Sequence, residues 1–247
     1  MRRIGWKTAL AIVLILTSAL IFVLNYLIFH NTEEELFLLV EELGFIPIEV
    51  LVVTLIIDQL LQKRERITRL EKMNMVIGAF FFAIGFGLLR ALISLDRSVD
   101  IIRKKLEISS EWTKSEFRDA KESVGLYSPS ISCTSRSLLA LRNMLSSKRD
   151  FILRLLENPN LLEHESFTDL LWAVSHLAEE LEARADLENL PPEDVAHLEN
   201  DIRRAYALII GQWLDYMQHL QARYPYLFSL SVRTNPFNPN ARPEISA

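Results

Sequence analysis

A chain of 247 residues that is 50% apolar yet 24% charged must keep its greasy and its charged stretches apart, which excludes an evenly mixed globular sequence. The formal charge of -5 and the lack of a long basic run exclude a nucleic-acid surface, which needs clustered Lys and Arg to neutralise phosphates. The single cysteine, Cys133, excludes an intrachain disulfide and a cysteine-built zinc site.

From Thr8 to Phe29 no residue is charged, and about twenty such residues cross a bilayer core as a helix. Arg2, Arg3 and Lys7 precede this run, which is longer than the apolar core of a signal peptide and lacks a small-residue cleavage site, so it reads as an uncleaved anchor. The stretch Asn31–Leu43 carries five glutamates and no cation. The next apolar run is followed by Lys63, Arg64, Arg66, Arg69 and Lys72. Basic flanks stay on the cytoplasmic side, so the two runs read as a transmembrane hairpin, with spans at about 8–29 and 45–61. The N-terminus and the C-terminal part are then cytoplasmic. Pro47 fits the first turn of the second span, where its missing N–H costs nothing. Glu49 and Asp58 are the acids inside this span; they are the candidate intramembrane polar residues, near its outer and inner ends.

Met73 to Leu89 forms a third uncharged run. If it crossed, the following basic residues would lie outside, so it reads as a non-spanning connecting helix over 63–107, with a third span at 73–89 as the alternative. One apolar stripe runs through Ile57, Leu60, Ile67, Leu70, Ile77, Phe81, Ile84, Leu88 and Leu95. Ala79, Ala83, Gly87 and Ala91 recur every four residues and are the candidate helix-packing positions, because small residues let a second helix approach closely.

The segments EELGFIPIEVLVVTLIIDQLL (Glu41–Leu61), EKMNMVIGAFF (Glu71–Phe81), LLENPNLLEHESFTDLLWAVSHL (Leu155–Leu177) and YPYLFSL (Tyr224–Leu230) resemble a family of uncharacterised prokaryotic membrane proteins. The resemblance covers most of the chain. It implies a prokaryotic cell membrane and no assigned activity. The apolar residues Phe82–Leu89 depart from that family's more polar pattern.

Ser- and Gly-containing punctuation makes 108–137 a linker. A helix over Leu138–Glu157 stops at Asn158-Pro159, and the next opens with a capping box formed by Ser166 and Asp169. Pro191 and Pro192 start the longest helix of this part, which Pro225 ends. The expected architecture is all-α: a two-helix transmembrane hairpin (1–62), a connecting helix (63–107), a linker, a soluble antiparallel helical bundle (138–234) and a mobile tail (235–247).

Three pairs stand four apart on helix faces: His176 with Glu180, His197 with Asp201, and Asp215 with His219. Each reads as a solvated surface contact, and His164 between two glutamates reads the same way. No metal site, cofactor or catalytic group is therefore expected, and Cys133 has no neighbouring base to activate it. No phosphate loop, nucleophile elbow or zinc-protease motif occurs. The expected role is a membrane-anchored interaction or scaffold module whose partners are the lipid bilayer and a second copy or another protein. An oligomeric channel using Glu49 and Asp58 is the alternative, and a metal-dependent membrane enzyme a weaker one.

Overall fold

The computed structural model describes residues 16, 20, 23, 24, 27, 32–159, 161 and 164–244, with 32–50, 66, 67, 69 and 70 described for the backbone alone. The first expected span, 8–29, and its basic flank lie largely outside these residues, as does the Glu49 side chain. The chain divides into two compact units, Met1–Arg66 and Ile67–Ala247. Among the described residues every named element is helical; the one β feature is an isolated antiparallel bridge between Asp96 and Ile131.

Helix α1 runs unbroken over Thr32–Phe80, 49 residues, so the expected helix start at Pro47 is corrected: the helix already runs before it. Pro47 lies inside the helix, where the carbonyl four residues earlier loses its donor.

In the second unit the chain continues through a π-helical turn, Phe81–Gly85, into α2 (Phe86–Ile93). The wider turn admits one extra residue, and both Phe80 and Phe81 become fully buried. Phe80 meets Phe81 and Phe167 edge-on at 5.3 and 5.4 Å, and Phe81 stacks on Tyr216 at 4.9 Å. Gly85 makes this possible: a Cβ there would lie 2.7 Å from Phe81 Cδ1 and 2.9 Å from Phe80 Cε1. Ile77, Phe81, Ile84, Leu88 and Leu95 of the apolar stripe are all buried, whereas Ile57 and Leu60 are exposed. The connecting helix is thus part of the core of this unit, which starts at Met73 and not at Leu138.

After the short α3 (Val99–Arg103), the stretch expected as linker contains α4 (Lys114–Leu126), which buries Phe117 and Ala120. Its capping box is made by Thr113 and Glu116. The serine-rich stretch beyond it is held by the buried Asp96 carboxylate. That group accepts from the Tyr127 hydroxyl, from Ser98 N–H and Oγ, and from Ser130 N–H. Burying a carboxylate is costly unless such donors surround it, and here they do. Burial and Asp96 together raise the Tyr127 pKa, so this hydroxyl stays a donor.

The expected Leu138–Glu157 helix is two, α5 (Ser135–Ser146) and α6 (Arg149–Leu156). Ser147 Oγ donates to the Met144 carbonyl at the break, a local bond that competes with the helix ladder. Helix α7 (Glu165–Ala183) begins after His164 with no side-chain cap. Ser166 Oγ instead accepts from Gln212 Nε2 at 2.8 Å, so the expected Ser166/Asp169 box is absent. Helix α8 (Pro192–Arg223) starts at the proline pair, and α9 (Pro225–Arg233) follows it after Pro225 breaks the run. The segment expected as a mobile tail is anchored at its start: Asn235 Nδ2 donates to the Leu106 carbonyl at 2.8 Å, and Phe237 is buried against Trp213.

Candidate functional sites

Two features of the fold are not explained by internal packing. The first is the end of the Met1–Arg66 unit. Leu51, Val52, Val53, Leu55, Ile56, Ile57, Leu60 and Leu61 each expose about half or more of their side chains. At 100° per residue three consecutive residues already point to three sides, so this part of α1 is apolar all round. Leu16, Leu20, Val23, Leu24 and Leu27 are exposed to a similar degree. Asp58, the described member of the acid pair, is exposed and accepts a hydrogen bond from Gln62 Nε2 one turn on, at 2.9 Å.

Among the described residues one helical stretch, Glu71–Ile93, is long and apolar enough to cross a bilayer by length and composition, and half of it is buried inside its own unit. A core helix has the same character. The small-residue positions lie on its less buried side: Ala79 and Gly87 are exposed, Ala83 and Ala91 half-buried, and a Cβ at Gly87 would meet nothing within 4 Å. Ala79 lines a cavity of about 410 Å³ with Gly78, Phe82, Tyr216 and Leu227.

The second feature joins two of the three spaced pairs. Helices α7 and α8 run antiparallel, linked by the 184–191 loop, and contacts along them pair ascending with descending numbers: Ser166 with Gln212, His176 with Asp201, Glu180 with His197, Arg184 with Asp194. His176 and Glu180 are one turn apart on α7, His197 and Asp201 one turn apart on α8, so the hairpin sets all four side by side. His176 Nε2 lies 3.7 Å from Glu180 Oε1 and 3.6 Å from Asp201 Oδ2. His197 Nε2 lies 3.5 Å from Glu180 Oε2 and 3.3 Å from Asp201 Oδ2. Asp201 is 4% exposed in its side chain, and its Oδ2 accepts no hydrogen bond. Both imidazoles are about half exposed.

The surroundings of the cluster are tied down. Arg184 donates to Glu180 Oε2 at 2.7 Å and forks onto both oxygens of Asp194. Its guanidinium holds the Glu180 and Asp194 carboxyls below the usual carboxylate range. Arg204 Nη1 stands 3.6 Å from Asp201 Oδ1. The third pair is not part of this group: Asp215 pairs with Lys121, and His219 meets the Tyr224 ring edge-on. His164 sits against Phe167. Each His–carboxylate spacing is visible in the sequence; the register that joins the two is not.

Comparison with known proteins gives a family and no activity. A family model described as "Uncharacterized protein MJ1433, C-terminal helical domain" matches residues 69–233, and one described as "MJ1433, N-terminal helical domain" matches residues 2–61. The gap between them contains the Arg66/Ile67 boundary of the two units. The chain is 48% identical over 229 residues to the "Uncharacterized protein MJ1433" of Methanocaldococcus jannaschii, covering 93% of this chain and 92% of that one. No solved structure matches. These descriptions name helical domains and mention neither a membrane nor a reaction.

Proposed function

The chain belongs to the MJ1433 family of uncharacterised helical proteins, and from that premise we propose that it is a membrane-anchored helical module whose C-terminal unit engages a partner protein or a second copy by packing, without catalysis. The observation that carries this reading is the all-round apolar surface of α1 between Leu51 and Leu61. Eight large apolar side chains left half open to water forgo on the order of 10 kcal/mol of transfer free energy, which a hydrocarbon surround would recover. Asp58 offsets about 3 kcal/mol of this at most, and less near an interface. The helix also runs unbroken before Pro47, so Leu43, Gly44 and Phe45 lengthen the apolar run that continues to Leu61.

In this reading Lys63, Arg64, Arg66, Arg69 and Lys72 keep the end of the span on the cytoplasmic side of a prokaryotic cell membrane, and the helical unit is cytoplasmic. Glu71–Ile93 stays out of the bilayer, since half of it is already covered by its own unit. Alkaline carbonate washing of membranes from expressing cells tests the anchor. Retention of the full chain in the pellet is expected; release into the supernatant refutes the reading.

A further inference from the structure

We infer that His176, Glu180, His197 and Asp201 form a binding site for one first-row divalent cation, zinc above all, which staples α7 to α8. The inference does not depend on whether the chain enters a bilayer. Its basis is the spacing of four donors that sequence separation alone would leave as two unrelated surface pairs.

Ligand atoms of His176, Glu180 and Asp201 all lie within 4.8 Å of one another, and His197 approaches both carboxylates more closely still. Zinc bonds nitrogen and carboxylate oxygen at about 2.0–2.2 Å, so the edges of its coordination tetrahedron are about 3.3–3.6 Å. The four His–carboxylate separations run from 3.3 to 3.7 Å, both imidazoles meeting Asp201 Oδ2 and each a different oxygen of Glu180. Those distances are too long for charge-assisted hydrogen bonds, which close to about 2.7–2.9 Å, and they suit an atom held between the donors.

The Asp201 carboxylate points the same way. It is 4% exposed, and its Oδ2 faces both imidazole nitrogens without accepting a hydrogen bond. An orphaned buried carboxylate oxygen costs free energy, and a cation there removes the cost. Imidazole and carboxylate donors together select zinc or a neighbouring transition metal over calcium or magnesium, which prefer oxygen alone. Arg184, itself fixed by Asp194, orients Glu180 in the manner of outer-shell groups that aim a ligand. Taking His197 as the fourth donor beside the three mutually close ones fills a four-coordinate shell and leaves no position for a substrate, so the role is structural. The half-exposed imidazoles leave the ion a path from solvent.

The test uses the full-length chain purified in detergent without a histidine tag and stripped with a chelator. Titration with Zn²⁺ alone is expected to saturate at one ion per chain and to raise the thermal midpoint. Co²⁺ is expected to give the intense visible bands of four-coordinate nitrogen and oxygen ligation. His197→Gln and Asp201→Asn should each weaken binding by at least the ~10–100-fold that even outer-shell groups carry. His197 is half exposed, so its variant keeps the fold and the measurement if Asp201→Asn does not. Absence of saturable binding, or unchanged binding in His197→Gln, overturns the inference.

Discussion

Replacing Gly85 by alanine tests the aromatic packing that positions the whole C-terminal unit. The new methyl would sit 2.7 Å from Phe81 Cδ1, 2.9 Å from Phe80 Cε1 and 3.1 Å from Phe80 Cδ1. Neither ring can retreat freely, because both are fully buried, Phe80 against Phe167 and Phe81 against Tyr216. Overpacking of this kind costs about 1–3 kcal/mol, against a gain of about 1 kcal/mol from alanine's better helix propensity. Gly87→Ala, two residues on, supplies the same propensity gain with nothing within 4 Å of the new atom. The shared term cancels in the comparison, so the two variants should differ by about 1–3 kcal/mol. In a unit of this size that is a gap of roughly 2–12 °C between midpoints. Thermal unfolding of the full chain in detergent, followed by tryptophan fluorescence, reads it directly. If Gly85→Ala melts at or above Gly87→Ala, the close approach of the two rings is not what the glycine serves.

Two further outcomes follow from the same fold. Thr113→Ala removes the capping side chain of α4 and should cost about 1 kcal/mol. Thr113 also holds the Glu116 carboxyl below its ordinary pKa, through its backbone N–H first and its hydroxyl second. Because the folded carboxyl is the stronger acid, the capping contribution is complete above the unfolded pKa and disappears as pH falls through the folded one. The variant keeps the backbone donor and loses the hydroxyl, so in urea titrations run at stepped pH it should lose the smaller, hydroxyl share of this acid dependence; an unchanged acid limb would contradict the hydroxyl's part in the box. Cys133 is half-buried, and burial, then the Glu199 charge, push its thiol up to about 12. At pH 7 only about 10⁻⁵ of it is thiolate, against roughly 3% for an ordinary cysteine. A thiol reagent should label the native chain slowly and the denatured chain at once, which makes Cys133 a poor reporter of membrane sidedness. Fast labelling of the folded protein would show the thiol to be open.

Much of the second unit was legible because its signals are local. The proline pair at Pro191–Pro192, the stop at Pro225 and the buried stripe Ile77, Phe81, Ile84 and Leu88 depend on residues within a few turns of one another. Helix α4 lies in the stretch that serine and glycine punctuation marks as linker, yet its local signal is there, a threonine followed three residues later by a glutamate. The Ser166–Asp169 pair had that spacing too, yet Ser166 was drawn instead to Gln212 on another helix. A capping motif thus proposes a helix start, and tertiary partners decide whether its side chain is free to serve.

By itself the sequence determined that the chain is helical, that its apolar and charged residues are segregated, and that one stripe of the Met73–Leu95 stretch must be covered. Spacing along a single helix suffices for each of these. Only the tertiary structure decided that Asp96 gathers the serine-rich stretch, that Asn235 and Phe237 fasten the C-terminal segment, and that His176 and Glu180 face Asp201 and His197. These contacts join residues far apart in the chain. Their partners are selected by the register in which buried faces interlock, and no one-dimensional period encodes that register.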